Sequence, residues 1–171
     1  MKNNSEQLAK KNSLPISKIL IFLISGFLAG FLSLGLSVLT ISIFNNFYFL
    51  TNTILISSII LISEEELIKF ILLKFLFPIF SKSNLINIIN GFLFGLGFGL
   101  FELILIKLNN FSNIFNLLPI LLIHSATSII IVLAILRLKK DKKCFYLYFL
   151  LAILLHLIYN LSIIYYQHLH F

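Results

Sequence analysis

The chain has 171 residues, of which 60% are hydrophobic, and its mean hydropathy is +1.07. Soluble globular domains have an apolar share of about 45–50%, so this composition excludes an ordinary soluble domain and indicates an integral membrane protein. The formal net charge of +7 does not indicate nucleic-acid binding, because the basic residues cluster beside hydrophobic segments, where they determine topology. The single cysteine, Cys144, excludes an intrachain disulfide and a cysteine-based zinc site.

The apolar segments predict an all-α polytopic membrane protein with about five transmembrane helices. We expect a polar N-terminal tail over residues 1–15, a single transmembrane helical domain over 16–166 and a short C-terminal tail over 167–171 that holds His168 and His170. The five predicted spans have the approximate bounds 16–44, 53–77, 86–107, 117–138 and 144–166. In the first span, Gly26 and Gly30 are four residues apart and offer a small-residue surface for helix contact.

The second span contains three consecutive glutamates and Lys69 near its middle. A charged side chain at the centre of a bilayer costs roughly 2.5–3.5 kcal/mol, so this cluster needs a compensating function. At about 100° per residue, Glu65 and Glu66 share a face with Lys69, whereas Glu64 points away. Two alternatives stay open: the register Glu64-Glu65-x-x-x-Lys69, and a water-exposed turn that holds the carboxylates between two shorter apolar helices.

The third span is rich in glycine and carries a carboxylate in its second half. Gly91, Gly95 and Gly99 follow one another at four-residue spacing, and Glu102 lies on the same face. Small residues allow a neighbouring helix to approach closely. We therefore expect Glu102 to lie at a close helix–helix contact.

Histidines mark the last two spans. His124 lies in the fourth span, with Thr127 and Ser128 on the same side. In the fifth span, His156 and Asn160 are four residues apart and share a face. Each of these residues alone is equally consistent with a structural hydrogen bond between helices.

The positive-inside rule orients the chain. With the N-terminus inside, Lys82 and the basic loop 137–143 both fall on the inner side, and the uncharged loops 45–52 and 109–116 fall outside. Five spans then place the C-terminus outside. Counted at about 1.5 Å per residue, the polar residues of four spans lie in the outer half of the bilayer. We expect the membrane to be a bacterial cytoplasmic membrane.

Carboxylates and imidazoles at one depth are typical of a site that activates water. A glutamate can act as general base, a histidine can bind a metal or stabilise an oxyanion, and an asparagine amide can donate to developing negative charge. Hydrolysis is the simplest reaction that this set of groups supports.

In this order, the motifs resemble those of the PrsW-type intramembrane peptidases, which are related to the CAAX prenyl protease and bacteriocin-processing superfamily. The resemblance covers residues 62–160, and each motif is short. Lys69 and Glu102 favour the PrsW-like branch, because the wider superfamily usually has an arginine one position later and a histidine at the end of the second motif. The motifs are Glu65-Glu66-x-x-Lys69, Gly95-Leu-Gly97-Phe98-Gly99-Leu-Phe-Glu102, His124 and His156-x-x-x-Asn160.

The resemblance implies a membrane-embedded peptidase that cuts a membrane protein or peptide. The catalytic residues that it implies are Glu65, Glu66, Glu102, His124, His156 and Asn160, with Lys69, Gly95 and Gly99 in supporting positions. In one mechanism, Glu65 and a histidine activate water, and His156 and Asn160 form an oxyanion hole. In the other, a divalent metal such as zinc is held by His124, His156 and a carboxylate such as Glu102. The sequence lacks a His-Glu-x-x-His motif, so the cofactor stays open.

Two other classes of function are compatible with the same residues. The glutamates and histidines could form a proton or cation pathway in a small transporter, although no inverted repeat is evident. A catalytically silent membrane scaffold or immunity-type protein is the other alternative. The sequence identifies neither the substrate nor the oligomeric state.

Overall fold

The computed structural model describes residues 15–45, 54–108, 117–138 and 141–170. This part of the chain is all-helical and contains no strand. The predicted tail before Pro15, the two uncharged loops and the side chains of His168 and His170 lie outside the described residues. The helices are α1 (Ile16–Asn45), α2 (Ile54–Phe75), a short 3-10 turn (Phe77–Ile79), α3 (Asn84–Leu108), α4 (Leu117–Leu138) and α5 (Lys142–His170).

Four of these helices are long and apolar enough to cross a membrane: α1, α3, α4 and α5. This confirms the predicted all-α membrane architecture in its coarse form. The helix α2 is not among the four, since its acidic and basic residues interrupt its apolar sequence.

The helix ends follow local chemistry. After α2, Pro78 lies at the start of the 3-10 turn. The side chain of Asn87 then holds the polar connection against the start of α3. Its Nδ2 group donates to the Ser81 carbonyl oxygen, and its Oδ1 atom accepts from the Ser81 N–H, both at 2.8 Å. At the start of α5, Asp141 accepts hydrogen bonds from Cys144 and Lys143, and these bonds hold the pKa of Asp141 below its usual value.

The centre of the bundle is α3, which packs against α4 along the predicted glycine face. A Cβ atom at Gly95 would collide with the His124 carbonyl oxygen and the Ser125 Cα, and one at Gly91 would lie 3.1 Å from the Ser128 carbonyl oxygen. At Gly99, the nearest atoms also belong to α4. The two helices run antiparallel, and their backbones approach closely because these positions have no side chain.

The opposite side of α3 packs against α1 by the same means. A Cβ atom at Gly26 would overlap the Phe94 carbonyl oxygen, and one at Gly97 would overlap the Leu23 carbonyl oxygen. Gly30 faces the ring of Phe101, so α1 and α3 run parallel. The predicted small-residue surface of α1 is therefore a contact with α3.

The helix α2 is packed differently, because it contacts α1, α4 and α5 mainly through long side chains. Its inward side carries Glu66 and Lys69, which are fully buried. Its outward side carries Leu67, Ile71 and Phe75, which are exposed and follow one another at four-residue spacing. Glu66 and Lys69 thus point into the bundle, and the large apolar side chains of the outward side point away from it.

Candidate active site

The polar residues of four helices meet in the interior of the bundle. Glu65, Glu66 and Lys69 come from α2, Glu102 from α3, His124 from α4 and His156 from α5. The sequence separates Glu66 from His156 by 90 positions. All six belong to the predicted set.

Lys69 is the central residue of the cluster. Its ammonium group donates to Glu66 Oε1 at 2.7 Å and to Thr127 Oγ1 at 3.1 Å, and it lies 3.0 Å from His124 Nδ1. It also lies 4.5 Å from the centre of the Phe98 ring. These contacts satisfy all the donors of a buried cation, whose unpaired burial would be very unfavourable.

His156 is held by two carboxylates of α2. Its Nδ1 atom lies 2.7 Å from Glu66 Oε1, and its Nε2 atom lies 3.7 Å from Glu65 Oε2. Because an ionised carboxylate only accepts hydrogen bonds, Nδ1 of His156 carries the proton in a neutral ring. The lone pair of Nε2 then faces Glu65.

His124 has the opposite arrangement of its ring nitrogens. An ammonium group only donates, so Nδ1 accepts from Lys69, and Nε2 carries the proton toward Glu102 Oε2, with which it is in contact. The rings of His124 and His156 are 4.9 Å apart and meet edge to face. Neighbouring imidazoles therefore present different groups: a lone pair on one and an N–H donor on the other.

These contacts join six side chains into one chain of polar partners, which we call the Glu–His chain. In order, it runs Glu102, His124, Lys69, Glu66, His156 and Glu65. Its four inner members are buried, whereas its two terminal carboxylates are partly exposed: 39% for the Glu102 side chain and 24% for that of Glu65. Both ends of the Glu–His chain are thus partly exposed carboxylates.

The structure also bears on which residues could hold a metal ion. One ligand atom each from Glu65, His124 and His156 lies within 4.8 Å of the others. The predicted candidates were Glu102, His124 and His156, and Glu102 contacts His124.

The observed contacts of Lys69 and Asn160 differ from those predicted. Lys69 contacts Glu66, whereas the shared helix face had placed both Glu65 and Glu66 beside it. The side chain of Asn160 is half-buried, and no hydrogen bond joins that side chain to another described residue. Glu64 points away from the cluster, as expected, and accepts a hydrogen bond of 2.5 Å from Thr40 of α1.

Two residues near the site were not singled out from the sequence. Phe98 lies against both Lys69 and His124, with 4.7 Å between the Phe98 and His124 ring centres. The Tyr159 hydroxyl is buried and has no hydrogen-bond partner within the described ranges. Tyr159 follows His156 by three residues, so helical periodicity could have identified it beside Asn160.

Comparison with models of known protein families, with curated protein sequences and with solved structures gives no match. The functional assignment therefore rests on the residues and their geometry.

Proposed function

We propose that this chain is a membrane-embedded peptidase that hydrolyses a peptide bond in a membrane protein or peptide. The observation that supports this proposal best is the Glu–His chain, which is buried in an apolar bundle and has an accessible carboxylate at each end. Such a concentration of ionisable groups is unfavourable for stability, which is typical of functional sites. The motifs that resemble those of PrsW-type peptidases are consistent with the same reaction.

In the proposed reaction, Glu65 and His156 activate water. The His156 Nε2 lone pair and the Glu65 carboxylate face each other, so a water molecule between them can lose a proton to either group. Glu66 holds the ring of His156 in the required tautomer through Nδ1. The hydroxide attacks the peptide carbonyl carbon, and the proton passes to the nitrogen of the leaving amine.

The oxyanion is then stabilised from the other end of the Glu–His chain. Nδ1 of His156 is engaged with Glu66, which argues against His156 as the oxyanion donor. The Nε2–H group of His124 is the better donor, because its partner Glu102 is partly exposed and can be displaced by the substrate oxygen, whereas Glu66 is fully buried. A donor of this kind contributes about 10²–10³ to the rate.

The proposal requires α2 to lie within the membrane as a fifth span. Its 22 residues extend about 33 Å, which matches the roughly 30 Å hydrocarbon core of a bilayer. Glu66 and Lys69 near its middle turn inward, its exposed side has large apolar side chains, and the exposed Lys74 lies in its last turn. With five spans, the N-terminus and the basic loop 137–143 lie on the cytoplasmic side of a bacterial membrane, and the C-terminus lies outside.

Cysteine labelling tests this orientation. Cys144 is replaced by serine, and a single cysteine is introduced by Asp141→Cys. We expect a membrane-impermeant maleimide to label position 141 only after the cells are opened. Labelling of intact cells would contradict the orientation.

Hydrolysis is tested with purified protein in liposomes that also contain a library of single-span peptides. In water enriched in ¹⁸O, each cleavage adds one heavy oxygen to a new C-terminal carboxylate, which mass spectrometry detects. We expect Glu65→Gln and His156→Ala to lower the rate by about 10²–10³ or more. Glu64→Gln is the matched control, because this neighbouring glutamate lies outside the site, and we expect it to stay active.

The outcomes separate the candidate functions. Equal loss in Glu64→Gln and Glu65→Gln would contradict the assignment of Glu65, and undiminished cleavage in both Glu65→Gln and His156→Ala would refute the mechanism. Proton flux across the liposome membrane without cleavage, abolished by Glu65→Gln, would identify a transporter. The absence of both activities would favour a scaffold or immunity-type protein.

A further inference from the structure

Tyr159 of α5 has a hydroxyl group to which the proposed reaction gives no role. The hydroxyl is buried in the bundle, and no hydrogen bond joins it to another described residue. A buried polar group without a partner costs free energy of folding, and its presence in a native protein calls for an explanation such as a catalytic role. Tyr159 therefore holds an O–H donor that has no acceptor among the described residues.

The position of Tyr159 brings this donor to the Glu102 end of the Glu–His chain. Tyr159 follows His156 by three residues, and long side chains of a helix lean toward its N-terminus, so the phenol ring covers the turn that carries His156. Its hydroxyl is close enough to the Glu102 carboxylate for the two groups to interact electrostatically. Glu102 interacts in the same way with His156. The Tyr159 hydroxyl thus lies on the side of the site where Glu102 contacts His124.

We propose that the Tyr159 hydroxyl is a second oxyanion donor of the peptidase site, beside the Nε2–H group of His124. This inference rests on the proposed function. In that reaction the substrate oxygen displaces the partly exposed Glu102 from His124, and Glu102 is the carboxylate with which the Tyr159 hydroxyl interacts. The oxygen that takes the place of this carboxylate therefore lies near both donors.

The hydroxyl stabilises charge without giving up its proton. When the hydroxide formed from water attacks the carbonyl carbon, a new C–O bond forms, and the π electrons of the carbonyl move onto its oxygen. The O–H of Tyr159 and the N–H of His124 donate to this oxyanion. When the C=O bond forms again, the C–N bond breaks, and the amine nitrogen takes the proton that Glu65 or His156 received from water. Tyr159 ends the reaction in the form in which it began.

Tyr159 suits this role better than Asn160, the residue to which the resemblance to PrsW-type peptidases gives it. A donor that is fixed in a site without water stabilises charge more than a donor in contact with solvent. The side chains of both residues are half-buried, but the Tyr159 hydroxyl itself is fully buried. The phenol ring also has few torsions to fix, which lowers the entropy cost of holding its hydroxyl in place.

Tyr159→Phe tests the proposal, because it removes one oxygen atom and keeps the ring. The substrate is the single-span peptide of the library that the wild type cleaves fastest in liposomes. We expect kcat to fall by about 10²–10³ with KM unchanged, since the donor acts on charge that exists only in the transition state. The midpoint of denaturant unfolding should stay the same or rise, because the removed hydroxyl has no hydrogen bond to lose. A tyrosine with a merely structural role would show the reverse: an unchanged kcat and a lower midpoint.

A tetrahedral analogue gives a second measurement. In this analogue, a phosphonamidate replaces the peptide group at the bond that ¹⁸O incorporation has located, so its charged oxygens imitate the oxyanion. We expect Tyr159→Phe to weaken binding of the analogue by about the same factor as it lowers kcat. The matched control is Tyr165→Phe on the same helix, because Tyr165 is 65% exposed, and this variant should match the wild type in both measurements.

Two results would overturn the role of Tyr159. If Tyr159→Phe cleaves the peptide at the wild-type rate, its hydroxyl is not a donor in the reaction, and a loss in Asn160→Ala would then give the role to Asn160. If kcat and the unfolding midpoint of Tyr159→Phe fall together, the hydroxyl supports packing instead. Both results leave the peptidase function intact, whereas a wild-type protein that releases no ¹⁸O-labelled peptide would refute the function and the role of Tyr159 together.

Discussion

Two regions of this bundle are held together by different means. Between α3 and its neighbours α1 and α4, glycines bring backbone against backbone. Between α2 and its neighbours α4 and α5, buried side chains form a connected set of ion pairs and hydrogen bonds. The glycine contacts tolerate no added atom, whereas the polar contacts depend on each charge having a partner.

The two regions share one residue, His124. Its backbone carbonyl lies against Gly95, and its ring contacts Lys69 and Glu102. The glycine contact therefore fixes the backbone of α4 at the same position where the polar cluster uses the ring. This arrangement suggests that close packing sets the geometry of the site from one side and charge pairing sets it from the other.

The largest effect is expected from Lys69→Met. This change leaves Glu66 buried without its cation, and breaking a buried ion pair in this way typically costs about 3–5 kcal/mol of stability. Denaturant unfolding in detergent micelles measures the loss. The matched control is Lys74→Met on the same helix, because Lys74 is exposed, and it should be nearly neutral.

A second substitution separates charge from packing at Lys69. In the double variant Lys69→Met, Glu66→Gln, no unpaired carboxylate remains at position 66, so we expect much of the lost stability to return. If the double variant is as unstable as the sum of the two single variants, the pair contributes no coupling. Charge pairing would then not be what distinguishes the contacts of α2 from the glycine contacts of α3.

The next largest effect is expected at Gly95. An alanine there would press its Cβ against the backbone of His124 and Ser125, and overpacking of this kind costs about 1–3 kcal/mol. It would also shift His124, and a displacement of about 1 Å can lower a catalytic rate 10²-fold. Gly95→Leu should be still more damaging.

Gly35→Ala is the control for the glycine contacts. No atom lies within 4 Å of a Cβ built at Gly35, so this alanine should be accommodated without loss of stability. Unfolding and peptide cleavage are measured for the two alanine variants side by side. Equal stability in both would show that the α3–α4 contact can relax and that glycine is not required there.

Much of the framework could be predicted from the sequence. Hydropathy gave the positions of α1, α3, α4 and α5, and the four-residue spacing of Gly91, Gly95 and Gly99 indicated a close contact that the structure places against α4. These features depend on local periodicity. A glycine face or an apolar span can be recognised without knowing which helix packs against it.

The pairing inside the site could not be predicted in the same way. Glu65 and Glu66 lie about 40° and 60° from Lys69 around the helix, so periodicity hardly distinguishes them. The choice of Glu66 depends on His156, which arrives from a helix 90 residues further along. Likewise, both Tyr159 and Asn160 share a face with His156, and only tertiary packing determines that the Tyr159 hydroxyl is the polar group that is buried.

A smaller effect is expected from Thr40→Val, which tests Glu64, the third carboxylate of α2. The Thr40 hydroxyl donates to Glu64 Oε1 and joins α1 to α2 away from the Glu–His chain. Hydrogen bonds between membrane helices contribute about 0.6 kcal/mol on average, so Thr40→Val should lower stability by about this amount and leave cleavage unchanged. Glu64→Gln keeps an acceptor oxygen and should be milder still. If the cleavage rate of Thr40→Val falls by more than its lower stability explains, Glu64 belongs to the site. The polar cluster would then include Glu64, and the contact between Thr40 and Glu64 would not be part of the helix framework alone.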